Sequence, residues 1–160
     1  MTTRSFLALA GAMILVPACG PARPSEKTPE ELLRDKYRIG YDLSRQAEVE
    51  VTVENGMIKI PPGWNPIVLQ ERESNPGYRN AHWHLTASLK GDLEIQMKAE
   101  TPFIDRPQHA GKGHVVSYPP RNGSGGTGEE KYRKYGYTII VRLDEGPSPP
   151  PLDPDIRVDR

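Results

Sequence analysis

The histidines are the residues of this chain best spaced for chemistry. His82-x-His84 lies in a stretch of alternating polarity, and on a strand residues two apart share a face, about 6.5 to 7 Å from one another. That separation lets both imidazoles reach one metal ion, and neutral imidazole suits Zn or Cu. His109 and His114, with four residues between them, complete a ligand set if the fold brings them near. The alternative is four unconnected histidines on exposed surfaces, so a metal ion is the one cofactor to weigh and no other is implied. A blue-copper centre is excluded because it needs a Cys thiolate, and the single Cys stands at position 19.

Other chemistry finds less support. No His-Glu-x-x-His is present. The run Asn122 to Gly128 is not followed by Gly-Lys-Ser/Thr, so it is not a nucleotide loop, and Ser124 lacks the Gly two residues before it that a nucleophile elbow needs. No catalytic residue is assigned, and a non-catalytic protein is expected. Trp64, between Gly63 and Asn65 in a Pro-rich turn, is a candidate aromatic for a carbohydrate or protein partner; Tyr135 and Tyr137 read as packing. The 21 basic and 21 acidic residues cancel without a long run of one sign, which argues against nucleic acid as a partner.

The elements that position these residues read as short strands. Trp83, Leu85, Ala87 and Leu89 alternate with His82, His84, Thr86, Ser88 and Lys90. After Gly91-Asp92 the alternation resumes with Leu93, Ile95 and Met97, which predicts a second strand folding back on the first. Val49, Val51 and Val53 alternate with glutamates and Thr52 up to Asn55-Gly56, the residues of a type I′ turn, after which Ile58 and Ile60 return. That turn sets Val53 opposite Ile58. Ile67 and Leu69 mark a further strand, Val115 and Val116 another, and Tyr135 to Leu143 the longest. Pro119 to Gly128 reads as a flexible surface loop, and Leu152 to Val158 as a closing edge strand. Before the strands, Thr28-Pro29-Glu30-Glu31 starts a short helix, with Thr at the N-cap, Pro at N1 and Glu closing a capping box.

Hydrophobic content of 36%, with 17 Pro and 15 Gly, fits a small β core with much loop. The expected fold is mainly β: a single antiparallel β-sandwich, immunoglobulin-like or cupredoxin-like, with one short N-terminal helix, a small barrel being the other architecture. The closing pattern Tyr135-x-Tyr137-x-Ile139-x-Val141, then Asp153-Pro154-x-Ile156-x-Val158, resembles small exported bacterial sandwich domains of cupredoxin-like shape.

The N-terminus reads as a targeting segment. Arg4 precedes an apolar and small-residue run from Phe6 to Val16, which as a helix reaches about 16 Å against a hydrocarbon core of about 30 Å and so does not span a membrane. Val16-Pro17-Ala18-Cys19 resembles the lipobox of the bacterial lipoprotein class, with Pro17 where Ala or Ser is usual. The resemblance implies cleavage before Cys19, a diacylglycerol thioether on its sulfur and an acylated (palmitate-type) N-terminus. An ordinary secretory signal with an unrelated Cys is the alternative. Gly20 after the Cys implies, by the same resemblance, the outer membrane facing the periplasm in a Gram-negative cell. The organisation expected is a signal peptide over 1–18, lipidated Cys and tether over 19–27, and the β domain over 28–160. Its partners are then the lipid membrane, through Cys19, and an envelope protein or carbohydrate.

Overall fold

A computed structural model describes residues 43–160. The expected signal peptide, lipobox, tether and helix from Thr28 all fall outside the described residues. Within them the chain is mainly β, in two mixed sheets, and the helical structure is limited to the 3-10 turn Leu43–Arg45. No helix among these residues is long and apolar enough to cross a membrane.

The first sheet begins with β1 (Gln46–Glu54), where alternating Val and Glu bury one face: Ala47, Val49 and Val51 are fully buried. Asn55 (φ 53°) and Gly56 (φ 73°) turn the chain into β2 (Met57–Lys59), and Val53 pairs with Ile58 as the type I′ spacing requires. Next come β3 (Ile67–Gln70), β4 (Asn80–Leu85) and β5 (Gly91–Met97), then β6 (Gln108–Gly111) and β7 (His114–Val116), and finally β8 (Tyr132–Leu143) and β9 (Asp155–Asp159). One sheet has the order β2-β1-β4-β7-β6, the other β3-β9-β8-β5. Inward residues of both contribute to one core, with Trp83, Tyr137, Phe103, Ile67 and Leu69 its largest fully buried side chains.

Four expectations are corrected. β4 and β5 do not form a hairpin: β4 pairs with β1 and β7, whereas β5 pairs with β8 in the other sheet. The segment between them carries the chain across the core, so Trp83 and Leu93 face each other's sheets and not the same one. The sheets are not purely antiparallel either, because β1 runs parallel to β4 and β3 parallel to β9. β9 is an interior strand between β3 and β8; its Pro154 precedes the strand and leaves the ladder intact.

The fourth concerns the Gly-rich segment, which is built into the body and is not a free surface loop. The Glu71 carboxylate accepts the backbone N–H of Gly123 at 2.8 Å and of Gly125 at 2.6 Å, and Tyr135 donates its hydroxyl to the Ser124 carbonyl at 2.7 Å. Ser124, Gly125 and Gly126 are buried. The loop between β3 and β4 is fixed by Arg45, whose guanidinium donates to the carbonyls of Gly77 (2.7 Å), Glu73 (2.6 Å) and Asn75.

The two sheets are joined through a polar contact in the core. Trp83 Nε1 donates to the Tyr137 hydroxyl at 3.3 Å, with the rings tilted 58° at 5.6 Å. Burial pushes the Tyr137 hydroxyl far above the ordinary tyrosine value, Trp83 N–H partly opposes this and the Asp155 charge adds to it. An unfolded tyrosine ionises near pH 10, while the buried one stays neutral. Its stabilisation is therefore complete below about pH 10 and falls as pH rises above that value. In urea denaturation at pH 9 to 11, Tyr137→Phe should flatten the alkaline loss of stability, and an equally steep loss in the variant would contradict this account.

Candidate functional site

The outer face of the five-stranded sheet gathers His82, His84 and His114. β4 is its central strand, and the alternation that buries Ala81, Trp83 and Leu85 turns His82 and His84 outward. Parallel register sets Glu48 beside His82 and Glu50 beside His84 on one flank; antiparallel register sets His114 beside His84 on the other. Neighbouring strands lie about 4.8 Å apart, so side chains in these rows touch. Ser117, whose hydroxyl accepts the Ala81 N–H at 2.8 Å while its own N–H donates to the Ala81 carbonyl at 2.8 Å, ties β4 to the end of β7.

The contacts are short and polar. Glu48 Oε2 lies 2.8 Å from His82 Nδ1 and 3.8 Å from His84 Nε2. His82 Nε2 lies 3.2 Å from His114 Nδ1. The ring centroids are 5.2 Å apart for His82 and His84, 5.4 Å for His82 and His114, and 6.2 Å for His84 and His114. With a carboxylate at Nδ1, the proton of neutral His82 sits on Nδ1 and its Nε2 lone pair accepts the Nδ1–H of His114. The side chain of His82 is only 12% exposed, that of His84 27%.

Charge follows the same geometry. Burial pushes the Glu48 carboxyl up, but hydrogen bonds from His82 and Gln46 and the charges of His82 and His84 outweigh it and hold the group below the usual carboxylate value. His114 is lowered from the ordinary imidazole value, first by burial and then by the His82 and His84 charges, with Glu48 opposing. The cluster thus favours an ionised Glu48 and a neutral His114.

His109 falls in another row. It pairs with Val115 across β6 and β7, while Gly111 pairs with His114 past an irregularity in the ladder. Trp64 is partly buried, packed on the core with its ring 5.5 Å from Tyr78, and it precedes β3 at the edge of the other sheet. The aromatic exposed at that place is Tyr78, at 40%. A hollow of about 500 Å³ opens by β5 and Val115, rimmed by Glu94, Gln96 and Arg106, and includes none of the clustered histidines.

Glu48 is the residue that sequence reading missed. Its place in the alternating Glu/Val run marks it as outward-facing, but only the long-range parallel pairing with β4 puts it against His82. Among the described residues, no group of three or more His, Cys, Asp or Glu side chains is arranged so that together they could hold a metal ion. His82 Nε2 and His114 Nδ1 approach one another; His84 is turned towards Glu48. No protein-family model matches the chain, and no curated protein matches its sequence.

Proposed function

We propose that this chain is a lipid-anchored protein of the bacterial cell envelope, held by an acylated Cys19, whose β domain is a non-catalytic binding module. Its two sheets are taken as the layers of a β-sandwich, immunoglobulin-like or cupredoxin-like, on the strength of their shared core. In a Gram-negative cell the anchor sits in the outer membrane facing the periplasm, and the partner is an envelope component.

The observation that carries the binding reading is the hydrogen-bonded chain Glu48, His82, His114 on an outer sheet face. Imidazoles half-withdrawn from water on a solvent face add nothing to the core and carry a desolvation cost, which a structural role does not require. The lipobox residues Val16-Pro17-Ala18-Cys19 support the anchor.

The anchor is tested by Cys19→Ala in the producing cell. The variant should lose labelling by a fatty-acid probe and leave the membrane fraction, since several acyl chains, each buried CH₂ contributing about 0.8 kcal/mol, are what hold the domain at the membrane. Continued lipid labelling of the variant would contradict the reading.

A further inference from the structure

We propose that the outer face of the five-stranded sheet is a site for one divalent transition-metal ion of the Zn or Cu type. His82 Nε2 and His114 Nδ1 are its first two ligands, His84 its third, and Glu48 is the carboxylate that orients His82. This deepens the reading of that face as the binding surface and rests on it.

Distance supports the first pair. Two imidazole nitrogens on a tetrahedral ion, each at about 2.0 to 2.1 Å, stand about 3.3 Å apart. The His82 and His114 nitrogens are already 3.2 Å apart; to share an ion, both rings turn so that their lone pairs converge on a point beside the line of the present hydrogen bond. His114 then shifts its proton from Nδ1 to Nε2, a tautomer change that leaves its charge unaltered.

The carboxylate contact supports the direction of coordination. Glu48 accepts the Nδ1–H of His82 at 2.8 Å, which fixes the ring and leaves Nε2 as the donor. A carboxylate behind a ligating imidazole raises its basicity and sets its tautomer. Hydrogen bonding between two histidines alone does not call for that third group.

The third ligand comes from the partly exposed His84. Its ring centroid is 5.2 Å from that of His82 and 6.2 Å from that of His114, and its Nε2, 3.8 Å from Glu48, is beyond hydrogen-bond range of the carboxylate. A turn about its side-chain bonds brings a nitrogen to the ion, and the solvent side leaves the fourth position to water or to a partner's donor. Three imidazoles select Zn or Cu over Ca or Mg, which take oxygen ligands. Glu48 and Glu50, both on the β1 flank, balance a charge of two.

The test is titration of the full-length, detergent-solubilised chain with Zn²⁺ alone and, in parallel, with Co²⁺ as an absorption probe. One equivalent should bind, with Co²⁺ showing the intense visible bands of four-coordination. His82→Ala and His114→Ala should each weaken binding about 100-fold or more, and Glu48→Gln about 10- to 100-fold at unchanged stoichiometry. His109→Ala should have no effect. Near-ultraviolet dichroism from buried Trp83 checks that each variant is folded. A native chain that binds no ion, or a folded His82→Ala/His84→Ala/His114→Ala variant that binds as the native chain does, overturns the site. Either result leaves the Cys19→Ala fractionation standing as a separate test of the anchor.

Discussion

Truncating Trp83 to alanine should remove about 3 to 5 kcal/mol of stability, the cost of deleting a large buried aromatic and leaving a cavity. Trp83 is fully buried at the centre of the five-stranded sheet and reaches across to Tyr137 of the other. Its loss takes apolar contact from both sheets at once, and leaves the Tyr137 hydroxyl buried without its donor. Because a domain of this size is stable by about 5 to 15 kcal/mol, the variant should denature at a much lower urea concentration with the slope of the transition unchanged. Trp83→Phe, which keeps most of the volume, should lose clearly less. Equal denaturation midpoints for the native chain and Trp83→Ala would show that the two sheets do not depend on this contact. Since Trp83 lies between His82 and His84 on β4, the alanine variant should also loosen the geometry of the histidine cluster.

Gly126→Ala should be as severe, at about 3 kcal/mol or more, for a different reason. A Cβ at Gly126 would overlap the carbonyl oxygen of Glu130 and lie 2.6 Å from the Tyr132 nitrogen. Both are backbone atoms, and the second belongs to the start of β8. No rotamer change relieves that overlap, so the loop must leave its seat and give up the Glu71 clamp on Gly123 and Gly125. Gly128→Ala provides the contrast. Its φ is 64° and its Cβ would meet nothing within 4 Å, so only the left-handed backbone cost of about 1 to 2 kcal/mol applies. Chemical denaturation of the two variants side by side distinguishes a built-in loop, with unequal losses, from a free one, with equal losses.

The Gly-rich loop shows where the sequence stops being legible. Glycine-rich composition announces that a backbone can approach closely or turn sharply, but not what approaches it. Here that is Glu71, some fifty residues earlier in the chain, and no local pattern points to it. The strands themselves were readable, because alternation marks faces: Val49, Val51, Trp83, Tyr137, Ile139 and Val141 are all buried where period two puts them. The Asn55-Gly56 hairpin was readable down to its register, since a two-residue turn fixes which residues oppose.

Partnership between distant strands was not readable. The turn from Leu85 to Gly91 is compatible both with a hairpin and with a crossing from one sheet to the other, and residue types on either side are the same in both cases. The parallel pairings of β1 with β4 and of β3 with β9 depend on the whole arrangement, as does the interior position of β9. The candidate site inherits that division. His82 and His84 were legible as a pair from their spacing alone. That His114 joins them follows from the register of β4 and β7, and the place of Glu48 follows from a pairing across more than thirty residues of chain.

The central claim is that the histidine face of the five-stranded sheet is the working surface and that His82 and His114 hold an ion there. Side-chain ¹⁵N spectra of the ¹⁵N-histidine-labelled chain, recorded before and after one equivalent of Zn²⁺, test it most directly. The expected result is coordination shifts at His82 Nε2 and His114 Nδ1, with His84 following and His109 unmoved. Spectra in which the His82 and His114 nitrogens stay where they were, or in which His109 alone responds, would contradict it.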